Sequence, residues 1–73
     1  MFEACLNYLY DQKEQYENVV KIAFRHGEEL SEISGDDMLK CHPVLDGTLY
    51  IHTNNCVCSV SCRFLKSLEI KRT

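Results

Sequence analysis

Apolar residues near the start of the chain fall at Phe2, Cys5, Leu6 and Leu9, the i, i+3, i+4, i+7 spacing of one helical face. The polar set DQKEQ that follows is compatible with a helix, and Tyr16 extends the stripe. The spacing therefore predicts an amphipathic helix over 1–16, with Tyr8 and Tyr10 off its apolar side. The period then changes to two. Val20, Ile22 and Phe24 alternate with Lys21, Ala23 and Arg25, the pattern of a half-buried strand. RHGEE bends the chain at Gly27, which is free to take positive φ. Weaker strand signal follows at Leu30 and Ile33, and SGDD reads as a second turn. MLKCHPVL is a further strand candidate, restricted by Pro43 to an edge or a bulge. Asp46-Gly47 is a strong hairpin signal, TLYIHT follows as a strand, and Asn54-Asn55 offers another hairpin turn. CVCSVSC reads as the next strand, and RFLKSLEI closes the chain with Leu68 and Ile70 on one side.

These elements predict an α+β fold over 1–73 as a single domain. An N-terminal helix (1–16) packs on a small, strongly curved antiparallel sheet or barrel of four to five strands (17–73). Seventy-three residues bury only a small core. A composition of 45% hydrophobic and 26% charged residues is that of a globular chain, not a disordered one. MFEACLNYLY has no basic leader and no long apolar run follows it, which argues against a signal peptide and a membrane span. A cytoplasmic protein with reduced cysteines is expected.

Charge changes the picture further. Up to Asp37, nine acids oppose only Lys13, Lys21 and Arg25; from Met38 onward five bases oppose Asp46 and Glu69. The front half carries −6 and the back half +3. Such a dipolar chain can present an acidic side to a basic partner. Generic nucleic-acid binding is disfavoured, because phosphate affinity needs concentrated Lys and Arg.

Three of the five cysteines lie in NNCVCSVSC. In a strand, Cys56, Cys58, Val60 and Cys62 share one face, and that face is expected in the core, since free cysteine behaves as a small hydrophobe. A zinc site has enough ligand types in Cys41, His42, His52, Cys56, Cys58 and Cys62, but C-x-C spacing lacks the C-x2-C knuckle. A reactive Cys56 would use His52 across the Asn54-Asn55 turn. No phosphate loop or hydrolase motif is present. No catalytic, cofactor-binding or metal-ligating residue is assigned, and a non-enzymatic role is expected.

The segments FEAC, HGEEL and RFLKSLEI, in that order, resemble the Rof-type Rho-inhibitor family, and the element order resembles a small SH3-like or Sm-like barrel with an N-terminal helix. What this resemblance implies is an acidic, non-enzymatic binder that masks a basic nucleic-acid-binding surface on a transcription factor such as Rho; the short, acidic chain itself also suits a monomeric inhibitor of host transcription acting on Rho or RNA polymerase. A phage-encoded or bacterial antitermination factor fits that description. By position, Glu3, Glu28 and Glu29 become candidate partner contacts. Tyr8 and Tyr10 join them as candidate aromatic anchors, because tyrosine offers large rigid area with a polar tip. The alternatives are an Sm-like RNA binder using Lys66, Lys71 and Arg72, and a zinc or reactive-cysteine module.

Overall fold

The computed structural model describes residues 1–40 and 47–73. Six antiparallel strands make up nearly all of the fold: β1 (Phe2–Tyr8), β2 (Lys13–His26), β3 (Glu29–Ser34), β4 (Thr48–Thr53), β5 (Val57–Ser61) and β6 (Leu65–Arg72). A single helical turn, α1 (Asp37–Lys40), follows β3, and a 3-10 turn at Cys62–Phe64 joins β5 to β6.

The expected N-terminal helix over 1–16 is not formed. The same residues build β1, a turn, and the start of β2. The alternating set Phe2, Ala4, Leu6 and Tyr8 faces inward, with Glu3, Cys5 and Asn7 between them. Phe2 and Leu6 belong to both the helical and the alternating pattern, so periodicity left the choice open. Pairing decides it. Ala4 lies across from Ile70 and Leu6 across from Leu68 on β6, so β1 buries its alternating face against a second apolar strand. The turn out of β1 contains Asp11 at φ 66, a conformation that aspartate tolerates better than most residues. It is tied by Tyr8 N–H donating to the Gln12 carbonyl at 2.9 Å, and by Leu9 N–H donating to the Phe64 carbonyl at 2.8 Å.

β2 is long because it serves three neighbours. Its first half pairs with β1, while β3 and β4 flank its second half. Asn18, at φ 57, marks the place where the register against β1 shifts, from Phe2 opposite Val19 to Ala4 opposite Tyr16. The register against β4 also slips between Val19 and Lys21. That extra residue reverses an expected face: Val19 is buried and Val20 is exposed, although Ile22 and Phe24 point inward as the alternation predicts.

The strand order is β5-β4-β2-β1-β6, with β3 attached to β2 off that path. The expected barrel is therefore corrected to an open sheet, neither closed nor strongly curled. Among the described residues no ladder joins β5 to β6. β5 is only five residues long and runs straight into the 3-10 turn, after which β6 pairs with β1.

One face of the sheet carries the core. Ile33, Ile22, Ile51 and Cys58 form a row across β3, β2, β4 and β5. A parallel row runs Leu68, Leu6, Glu14 across β6, β1 and β2. Leu6, Ile22, Leu49 and Ile51 are fully buried, and Met38 of α1 covers part of this face. The second row ends on a carboxylate, and this places the candidate site.

The remaining turns follow their chemistry. Gly27, at φ 65, takes the first central position of the β2–β3 hairpin, between the paired His26 and Glu29. The Asn54-Asn55 turn joins β4 to β5, where Thr53 Oγ1 accepts from the N–H groups of Asn55 and Cys56. The strand expected over MLKCHPVL begins instead as α1, with Met38 N–H donating to the Gly35 carbonyl at 3.1 Å. The rest of that segment, including Pro43, lies outside the described residues, as does Asp46 of the expected Asp46-Gly47 turn.

Candidate functional site

The inner face of β1 ends at Tyr8, and the turn beyond it carries Tyr10. The registers Leu6 opposite Glu14 and Ala4 opposite Tyr16 place Glu14 and Tyr16 two residues apart on the same face of β2. The 3-10 turn adds Phe64. These side chains surround a recess of about 260 Å³, closed on one side by β5 at Ser59, Val60 and Ser61.

The Glu14 carboxylate is held from both sides. Tyr8 donates its hydroxyl to Glu14 Oε1 at 2.6 Å, and Tyr16 donates to Oε2 at 3.1 Å. The Tyr8 and Tyr10 rings stack at 5.6 Å between centroids with 17° between planes. Phe64 meets Tyr10 edge-on at 6.0 Å and 68°, geometry that aromatic quadrupoles favour. The Arg63 guanidinium lies 5.3 Å over the Phe64 ring.

Burial, and then the hydrogen bond to Glu14, disfavours loss of either hydroxyl proton. The Tyr16 hydroxyl is pushed up to about 12 and that of Tyr8 is raised well above the usual tyrosine range. At neutral pH both protons are thus committed to the carboxylate. Neither hydroxyl is left with a proton to offer the recess. Among the described residues Glu14 has no cationic partner; the ion pairs Lys21–Glu32 and Arg72–Asp36 lie elsewhere.

Of the residues singled out from sequence, the recess unites Tyr8 and Tyr10. Tyr8 is not at the surface as a helix would have placed it: its ring is buried, whereas Tyr10 is 54% exposed. Glu3 lies on β1 opposite Lys71 and lines a separate depression with Glu17, Asn18 and Thr73. Glu28 and Glu29 are exposed at the β2–β3 hairpin. None of these three carboxylates lines the tyrosine recess. Glu14, Tyr16 and Phe64 were missed. Glu14 and Tyr16 share a strand face, a relation that a helical reading of 1–16 conceals.

Of the cations proposed for RNA, Arg72 pairs with Asp36 and lies 5.7 Å over the Phe2 ring. The cysteine face also needs correction. Cys62 is buried and Cys58 half-buried, but Cys56 is exposed. Strand β5 begins only at Val57, so Cys56 belongs to the turn. Its Sγ lies 3.7 Å from Cys58 Sγ and 3.5 Å from Thr53 Oγ1. The Thr53 hydroxyl, and then Cys58, lower the Cys56 thiol below the usual range; the hydrogen bond with Cys56 raises Cys58. Among the described residues, no group of three or more His, Cys, Asp or Glu side chains is arranged to hold a metal ion. Cys41 and His42 lie outside those residues. Comparison with protein-family models, with curated proteins and with solved structures finds no match to this chain.

Proposed function

We propose that this chain is a non-enzymatic binding module that docks on a basic protein surface and masks it. The observation that carries the reading is the exposed Glu14 carboxylate, held by two tyrosine hydroxyls on the wall of an aromatic recess and without a cationic partner among the described residues. A cation arriving from outside completes that arrangement. The exposed Tyr10 ring at its mouth is the type of side chain that anchors interfaces once desolvated. The acidic front half of the chain adds long-range attraction toward a basic partner. The family resemblance in FEAC, HGEEL and RFLKSLEI supplies the partner class: a transcription protein such as Rho or RNA polymerase, with inhibition or antitermination as the outcome.

Direct binding of the purified chain to Rho and to RNA polymerase tests this. The expected result is saturable binding to one of them that weakens roughly fivefold or more in Tyr10→Ala. Saturable binding to RNA but to neither protein, abolished by changing Lys66 and Lys71, contradicts it and favours the RNA-binding alternative.

A further inference from the structure

The donor and acceptor inventory of the recess defines its occupant more narrowly than a basic surface. We infer that the Glu14 recess binds the ammonium head of a lysine side chain, in preference to an arginine guanidinium. This rests on the binding-module reading above.

Three features point to an ammonium. First, among the described residues no lining side chain is a cation, and the hydroxyl protons of Tyr8 and Tyr16 are already given to Glu14. The recess therefore combines a full negative charge with unused oxygen lone pairs, which suits a three-proton donor and repels an anion. Second, the Tyr8–Tyr10 stack and Phe64 supply ring faces, whose quadrupole attracts cations. The chain's own Arg63 guanidinium over Phe64 shows that this aromatic group accommodates a positive charge. Third, about 260 Å³ lies below the roughly 300–1,000 Å³ of clefts for drug-sized ligands, and matches a single side chain better than a whole small molecule.

The preference over arginine follows from the carboxylate. A guanidinium fork gains its advantage by engaging both carboxylate oxygens in one plane. Here Oε1 and Oε2 each already accept a tyrosine hydroxyl, so a fork must find the one remaining lone pair on each oxygen in a common plane between those hydroxyls. A compact ammonium needs only one free lone pair and the neighbouring rings.

The test uses the intact chain and three probes: Nα-acetyl-lysine methylamide, its Nε-acetylated form, and Nα-acetyl-arginine methylamide. Aromatic side-chain resonances are followed by NMR. The lysine probe should shift the Tyr8, Tyr10, Tyr16 and Phe64 signals saturably. The neutral Nε-acetyl form should bind about tenfold more weakly, and arginine several-fold more weakly. Glu14→Gln should weaken the lysine probe about tenfold. Tyr10→Ala, which touches none of the Glu14 hydrogen bonds, should weaken it with the fold intact. Equal shifts from all three probes, stronger binding of arginine, or no saturable shift at these rings overturns the inference. If a basic protein binds wild type and Glu14→Gln equally, the lysine pocket is refuted while the binding module stands. If the lysine probe saturates the recess but neither Rho nor RNA polymerase binds, the pocket is supported and the partner reading fails.

Discussion

Replacing Glu14 by glutamine keeps the shape of the side chain and removes its charge. The carboxylate accepts from Tyr8 at 2.6 Å and from Tyr16 at 3.1 Å. An amide can accept through only one oxygen, and its NH2 group then confronts the other hydroxyl. A hydrogen bond to a charged group contributes about 1.5–3 kcal/mol and a neutral one about 0.5–1.5 kcal/mol. The recess is open to water and the Tyr16 contact is long, so the net loss falls near the bottom of that difference, about 1 kcal/mol in total. For a domain of this size that lowers the melting midpoint by roughly 4–8 °C. A second readout is the ultraviolet absorbance of tyrosinate. The folded Tyr16 hydroxyl is pushed up to about 12 from the ordinary tyrosine value of 10.0, with burial the largest cause and Glu14 the next. Glu14→Gln removes the charge behind the Glu14 contributions and leaves burial, so the late ionisation should move part of the way back toward 10.0 and not reach it. The folded state holds its proton where the unfolded chain has begun to lose it. Stability is therefore complete below about pH 10 and falls as pH rises toward 12, and the variant should show a shallower fall. An unchanged melting midpoint together with an unchanged alkaline titration refutes the assigned hydrogen bonds.

Other expected outcomes are more local. Leu6→Ala empties the centre of the Leu68–Leu6–Glu14 row and should cost about 2–5 kcal/mol, read as a lower denaturation midpoint. Gly47→Val puts a β-branched residue at φ 77 with its Cβ 3.5 Å from the Arg25 carbonyl oxygen, and chemical denaturation should show a loss of more than about 1 kcal/mol. Under native conditions Cys56 should react with a disulfide reagent far faster than buried Cys62. Its rate should rise with pH around a midpoint below the usual thiol value, and Thr53→Val should move that midpoint upward.

How much of this was legible beforehand varies along the chain. The Gly27 and Asn54-Asn55 turns, the strand at TLYIHT and the inward Leu68 and Ile70 follow from local signals that the fold respects. The first sixteen residues do not, because Phe2 and Leu6 satisfy two periods at once. The deciding features were weak in sequence. Ala4 carries little hydrophobic signal, the turn at Asp11 has no glycine, and the partner strand β6 is more than fifty residues away. The bulge after Val19 was equally hidden, since a one-residue slip leaves the composition of VVKIAF unchanged while turning Val20 outward. The site inherited the same error. Their chemistry marks Tyr8 and Tyr10 in the sequence, but Glu14 and Tyr16 join them only once β2 lies beside β1. Phe64 arrives through a tertiary contact, the Leu9 N–H bonded to its carbonyl.

On the function proposed above, the carboxylate of Glu14, held by Tyr8 and Tyr16, is the point at which a basic protein surface docks. The most direct test is the dissociation constant of wild type and of Glu14→Gln for the same purified transcription protein at one salt concentration. The expected result is a loss of about tenfold or more in Glu14→Gln. Binding of Glu14→Gln as tight as that of wild type contradicts it.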